Sequence, residues 1–382
     1  TPEKSVSAGG VWATTFGGTY DDSAYGCSLD RSGNVYLAGS SSSFGAGSND
    51  MIVVKYDSNG YRGWTVTWGG SYSDWAEGCV VDGSYLYVVG TTESYGQGQD
   101  DVALLKIDTS DGALVWDRTY GTTNYGELGY DVDVDSSGYV YVCGSIPNGM
   151  NGLDILLLKF NSSGTLQWDI KITGSDNEVA DGIVVDGSYI YITGFTESYG
   201  AGDRDSFVIK LNTAGNTISW QKYWGTSGYG EFGHDLTLDS NGNVYVTGSH
   251  APINSSFTYK LNSSGTYQWH KNVDNSAGYG IETDGTSVFV AGLRVNYLPL
   301  GRYHNNVMFL KWAAGDGSFG WTKEWGGSPE NEIAYALAFD GSEFIYFAGT
   351  APDNTGYWYD FGAVSSINIQ NGDMSYGDPT DA

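Results

Sequence analysis

The sequence predicts an all-β fold: a propeller of seven four-stranded antiparallel blades, closed into a ring by the N-terminal strand around Trp12. Three observations carry this reading. Tryptophans stand at 12, 64, 116, 168, 220, 269 and 321, separated by 52, 52, 52, 52, 49 and 52 residues. A period near fifty that holds several short strands marks a propeller blade. Each period contains four strand-like runs punctuated by turn residues. The last period lacks its Trp strand, while a Trp strand with no period before it opens the chain.

The second unit shows the elements in order. Gly78 to Asp82 reads as a first strand, and Tyr85 to Gly90 as a second. A polar loop runs from Thr91 to Asp100, and Asp101 to Lys106 is a third strand. Asp108 to Gly112 turn the chain into a fourth strand opened by Trp116. Alternating apolar runs between Gly- and Asp-rich turns are hairpin signals. An Asp closes the first strand in every unit, at 30, 82, 135, 186, 239, 284 and 340. A Gly closes the second, at 39, 90, 144, 194, 248, 292 and 349, with an aromatic three residues earlier. A Lys ends the third strand in six units, and Ser365 stands there in the seventh. The expected blades are 19–70, 71–122, 123–174, 175–226, 227–275, 276–327 and 328–382, the last completed by 8–18. Pairing Val11 to Phe16 with the last unit removes two exposed sheet edges. The closing Asp and the Lys are expected to form a charge pair that ties two strands.

Composition bounds the function. The net charge is −28, from 17 basic and 45 acidic residues. Such a surface repels nucleic acid and anionic lipid. No run approaches the ~20 apolar residues of a membrane span, so membrane insertion is not expected. Three Cys make no disulfide framework. Cys27 and Cys79 share one repeat position, filled elsewhere by apolar residues, and read as core. A chain opening at Thr1 is expected to be a processed, exported form. Sequons for N-glycosylation stand at Asn161, Asn254 and Asn262. The expected location is extracellular or at the cell surface.

The pattern of Trp, a Gly pair, Asp-x-x-Gly-Asn-Val-Tyr-x-x-Gly and a Lys-ended strand resembles the bacterial and archaeal β-propeller repeat family often called SBBP. Gly33 to Gly39 and Gly242 to Gly248 carry the resemblance most closely, and the sixth unit departs from it most. The resemblance implies a propeller in a secreted or surface-attached protein. It implies no particular reaction.

Two sets of side chains are candidates for a site. Asp22, Asp74, Glu127, Glu178, Glu231 and Glu332 stand eight residues before the closing Asp in six units, and Ser276 stands there in the sixth unit. Asp50, Asp101, Asp154, Asp205 and Asp360 open the third strands. One reading is a ring of oxygen ligands for Ca²⁺ or another hard cation. The other is a set of carboxylates that fix Gly-rich turns through backbone N–H groups. No cofactor is required by either. The second set is aromatic: Phe44, Trp75, Tyr95, Tyr199, Tyr297, Tyr303 and Trp358, all expected on loops of one face. Rings beside acids and amides suit carbohydrate, while rings packed on one another would only stiffen the loops.

No catalytic set stands out, and four His show no metal spacing. The expected function is a secreted, non-enzymatic surface-binding module or structural subunit of an extracellular filament, surface layer or adhesin. Its partner would be protein, including copies of itself, or carbohydrate. The alternative is an extracellular polysaccharide hydrolase or lyase using channel-mouth carboxylates, with Ca²⁺ as a candidate ion. Function is expected where the repeat breaks, chiefly in the sixth unit and the long loops.

Overall fold

The structure, a computed structural model, describes residues 6–8, 11–123, 125–149, 152–251, 254–297, 303–326, 331–352 and 359–370. Six sheets are four-stranded antiparallel blades, each built from consecutive strands. Their inner strands are Asp22–Leu29, Asp74–Asp82, Leu128–Val134, Glu178–Asp186, Gly230–Leu238 and Ser276–Thr283. The expectation of seven four-stranded blades is therefore corrected to six. The remaining sheet joins the two chain ends and has five strands. Ile333–Phe339, Phe344–Pro352 and Tyr359–Asn368 are followed by Val11–Phe16 and then Val6–Ala8. Val11–Phe16 pairs with the C-terminal strand through Ala13–Ser365, Thr14–Val364 and Phe16–Phe361. Val6–Ala8 then folds back on it, with Ser7 opposite Trp12. The physical reason is the free edge that an outermost strand presents.

The core lies in layers between adjacent sheets. Tyr36, Ala38, Met51 and Val53 of the first blade pack against Ala76, Leu86, Val88, Leu105 and Ile107 of the second. Cys27 and Cys79 pack in two such layers.

Among the described residues, four seams are fastened by a Trp indole that donates to a turn carbonyl of the neighbouring blade. Trp64 Nε1 and Lys55 Nζ of the first blade both donate to the Thr109 carbonyl of the second, at 3.2 and 2.7 Å. Trp116 and Lys106 share the Ser162 carbonyl of the third blade. Trp269 and Lys260 share that of Ala314, and Trp12 reaches the Ser58 carbonyl across the closure. Gly112 makes this approach possible. Its φ of +78° forms the turn, and a Cβ there would lie 2.9 Å from the Trp64 ring. The ammonium groups also sit over tyrosine faces, Lys106 at 3.9 Å from the Tyr85 centroid. The expected Lys–Asp pair is thus replaced by a Lys–carbonyl clamp between blades. The closing Asp fixes its own turn instead: Asp30 accepts from Ser32 N, Asn34 N and Tyr36 Oη.

The recurring Gly of the second strand has a steric cause. A Cβ on Gly39, Gly144, Gly194, Gly248, Gly292 or Gly349 would lie 1.9 Å from a carbonyl oxygen of the inner strand, and one on Gly90 2.0 Å from such an oxygen. These carbonyls belong to the residue just before a β-bulge, and the bulge organises the channel.

Candidate functional site: the axial channel and the blade-six groove

In every inner strand the pairing register slips once: between Ala24 and Gly26, Ala76 and Gly78, Gly129 and Asp131, Ala180 and Gly182, Gly233 and Asp235, Gly278 and Gly280, Ala334 and Ala336. The residue left out is Tyr25, Glu77, Tyr130, Asp181, His234, Tyr279 or Tyr335. A bulge re-aims the extra side chain, and all of these line an axial channel with a cavity of about 370 Å³. The scaffold position is the same in each blade, but the residue is not.

The rings form an arc on one side. Tyr25 lies 5.1 Å from Tyr335, Tyr335 5.5 Å from Tyr279, and Tyr279 5.0 Å from His234. Phe232 and Phe195 continue the series on the loop face. Glu77 and Asp181 occupy blades two and four. Burial, with the Asp181 charge added, pushes the Glu77 carboxyl up to about 7. Burial also raises Asp181, which His234 partly offsets at 3.8 Å.

Deeper in the channel, carboxylates staple neighbouring blades. Asp131 accepts from Val132 N and, across the seam, from Ile183 N at 2.9 Å. Asp133 reaches Val185 N at 2.6 Å, and Asp235 reaches Ile281 N at 2.9 Å. Burial outweighs these donors, holding Asp133 at about 6 and Asp235 and Glu282 at about 7. No Lys or Arg lines the channel among the described residues, so one sign of charge fills a poorly solvated space.

The second feature is a groove of about 460 Å³ over blades five and six. Blade six carries a hairpin of two 11-residue strands, Ser287–Tyr297 and Tyr303–Ala313. It outgrows the 7- or 8-residue third strands of the other four-stranded blades. Tyr297 and Tyr303 face each other at its end, 64% and 62% exposed. Asn305 also lines the groove, and its Oδ1 is buried without a hydrogen-bond partner, as is His304 Nδ1. Tyr279 lines both groove and channel. Ser249 lines the groove, with its Oγ 2.9 Å from His234 Nε2 in the channel wall.

The acid series predicted from sequence lies at the seams. Asp22, Asp74, Glu127, Glu178, Glu231 and Glu332 are all 5% exposed or less. Asp22 accepts from Gly18 N, Asp74 from Gly70 N and Ser94 Oγ. Glu127 accepts from Thr122 N, Glu178 from Thr196 Oγ1 and Glu231 from Thr226 N. Asp50 and Asp205 accept from backbone N–H groups of their Gly-rich loops. No group of three or more His, Cys, Asp or Glu placed to hold a metal ion occurs among the described residues.

The predicted aromatics separate into two kinds. Phe44 stacks on Phe16, Tyr95 packs on Trp68 and donates to the Gly69 carbonyl, and Tyr199 stacks on Tyr223. These rings stiffen their loops. Trp75 lies within an inner strand opposite Thr91. Tyr297 and Tyr303 flank the groove, and Trp358 lies outside the described residues. Among the sequons, Asn161 and Asn262 cap their turns through Oδ1, and Asn254 is exposed. Sequence reasoning missed the bulge residues. The signal was a position five before each closing Asp that is polar or aromatic in every unit yet reads Tyr, Glu, Tyr, Asp, His, Tyr, Tyr.

Residues 220–249 match the family model of the SBBP β-propeller repeat. No curated protein matches the chain. Among solved structures, the WD40 β-propeller domain of Doa1 is similar over 99% of this chain and 98% of that one, with TM-score 0.58 and 9% identity. Sqt1 from Chaetomium thermophilum covers 93% of this chain and 98% of its own, with TM-score 0.48 and 12% identity. A europium-containing methanol dehydrogenase covers 98% and 79%, with TM-score 0.48 and 9% identity. At such identities the likeness shows the fold alone. The chain is thus a propeller of antiparallel blades, and its residues 220–249 carry the SBBP β-propeller repeat.

Proposed function

We propose that this propeller is a binding module at a cell surface or in an extracellular assembly, and that it takes a neutral, hydroxyl-rich chain in the groove over blades five and six. One observation carries the reading. Two exposed rings, Tyr297 and Tyr303, end an over-long hairpin beside an amide oxygen of Asn305 that has no partner. Sugar faces stack on rings, and hydroxyl donors satisfy buried acceptors. The charge of −28 favours neutral ligands over anionic ones. The exposed Asn254 sequon is in keeping with an exported protein.

A screen against immobilised neutral polysaccharides, followed by calorimetry, tests this. Binding that weakens at least tenfold in Asn305→Ala, with an unchanged melting temperature, is the expected result. Binding indifferent to that substitution removes the groove from the account.

A second reading, polysaccharide cleavage by channel-mouth carboxylates, draws on Glu77. Its carboxyl near 7 beside Asp181 is poised as a general acid. It requires release of new sugar ends that stops in Glu77→Gln.

A further inference from the structure

The junction of channel and groove holds a constellation that neither the repeat nor the binding reading requires. Ser249 Oγ is 2.9 Å from His234 Nε2, and His234 Nδ1 is 3.8 Å from Asp181 Oδ2. Serine, imidazole and carboxylate follow one another in the order that activates a hydroxyl for nucleophilic attack. Ser249 lines the groove and His234 the channel. The Asp181 and His234 side chains are 23% and 24% exposed, so the chain of groups is open to a small ligand. From these positions we infer that Ser249, His234 and Asp181 form an acyl-transfer site that hydrolyses a small ester, such as an O-acyl substituent on a chain lying in the groove. The substrate class rests on the binding reading; the nucleophile does not.

Two internal comparisons sharpen the assignment. Blades one and three place a Tyr and a Ser at the equivalent positions, Tyr25 with Ser40 and Tyr130 with Ser145. A phenol cannot take a proton from serine, so among these three serine-bearing blades blade five alone sets a base beside the serine. A second serine–histidine–carboxylate series lies nearby: Ser255 Oγ is 2.9 Å from His250 Nδ1, and His250 Nε2 is 3.8 Å from Glu231 Oε1. Ser255, His250 and Glu231 are 1%, 5% and 0% exposed. His250 borders the groove, but the Ser255 hydroxyl is buried away from substrate, and the series serves as the built-in control.

The reaction balances without a further reagent except water. The Ser249 Oγ–H proton passes to His234 Nε2 as Oγ bonds to the acyl carbon. The bond to the leaving alkoxide breaks, and the alkoxide takes the proton from Nε2. Water then adds to the acyl-serine, giving its proton to Nε2, and the carboxylic acid leaves as Ser249 recovers a proton. Asp181 is a positioning residue that holds Nδ1–H and the imidazolium. Tyr279, 5.0 Å from the His234 ring and lining both cavities, is the neutral donor placed for the developing oxyanion.

The test uses the whole chain with a serine-directed fluorophosphonate and p-nitrophenyl acetate. One label per chain at Ser249, located by peptide mass spectrometry, is expected, with none on Ser255. Ser249→Ala should lose the label. His234→Ala should slow labelling about a hundredfold, and Asp181→Asn should also change the pH profile of ester turnover. Melting temperatures of the variants separate lost chemistry from lost fold, and Ser249→Thr, which keeps a hydroxyl, offers a second check. Absence of label at Ser249, or labelling unaffected in a folded His234→Ala, overturns the assignment. Either result leaves the Asn305-dependent binding test standing on its own.

Discussion

The seams between blades and the bulge ring on the axis are made by the same repeat, yet they carry opposite kinds of information. At the seams identity recurs: a Trp, a Lys and a turn carbonyl meet across three of the blade boundaries. At the bulges geometry recurs and identity does not. The Gly of the second strand admits the bulge, and the bulge turns a Tyr, Glu, Asp or His toward the channel. A repeat can therefore hold a scaffold constant while leaving one inward position per blade free to vary. The proposed acyl-transfer site draws His234 and Asp181 from that varying position.

The comparison can be broken from either side. The largest effect is expected at the closure. Trp12 is 1% exposed, and Trp12→Ala should cost about 3–5 kcal/mol, read as a loss of stability in urea. A small loss would mean that the seams do not carry the fold. Gly248→Ala comes next. Its Cβ would meet the Phe232 carbonyl at 1.9 Å, so it should cost about 1–3 kcal/mol and displace the neighbouring His234. If stability falls but the environment of His234, followed by the NMR shift of its ring, stays unchanged, the link from Gly to bulge to channel fails. Lys106→Met removes one clamp donor and its tyrosine contacts, for about 1 kcal/mol.

A pH effect separates the two regions without mutation. Glu77, Asp133, Asp235 and Glu282 hold protons up to about 6 or 7 in the folded protein, above the ordinary carboxylate range. The folded state then binds more protons than the unfolded chain, so their contribution is fully present only below the ordinary carboxylate value and is lost progressively as pH rises from there through 6 to 7. The melting temperature should fall by a few kelvin between about pH 5 and about pH 8, and fall less in Glu77→Gln. The turn acids work the other way. Burial opposes the charge of Asp30 and Asp239, but their Asn, Tyr and backbone donors hold both below the ordinary value. That contribution is lost only in stronger acid. The smallest expected effect is that of chelation. The acid series is engaged by loop donors, and a chelator should leave the melting temperature unchanged. A Ca²⁺-dependent rise would assign those carboxylates to an ion.

Much of the scaffold was legible because tryptophan spacing and strand-ending Gly and Asp are local signals repeated many times. The extra strand Val6–Ala8 was not, because a short edge strand has no counterpart in the other units. The clamp was misread for a related reason. Lys and Asp recur together in sequence, but the Lys reaches a carbonyl one blade away, and spacing within a unit does not reveal that. Tyr297 and Tyr303 were legible as interruptions of the repeat. His234 and Ser249 were not: they lie 15 residues apart on paired strands, and a single bulge decides whether they meet.

The central claim is that ligand contact resides where the repeat is broken. Matched double substitutions test it most directly, with affinity for the polysaccharide measured by calorimetry. Tyr297→Ala with Tyr303→Ala should weaken binding at least tenfold, while Tyr95→Ala with Tyr199→Ala, which removes rings that recur between blades, should leave affinity unchanged. Equal losses from the two pairs, or loss only from the second, would contradict the account.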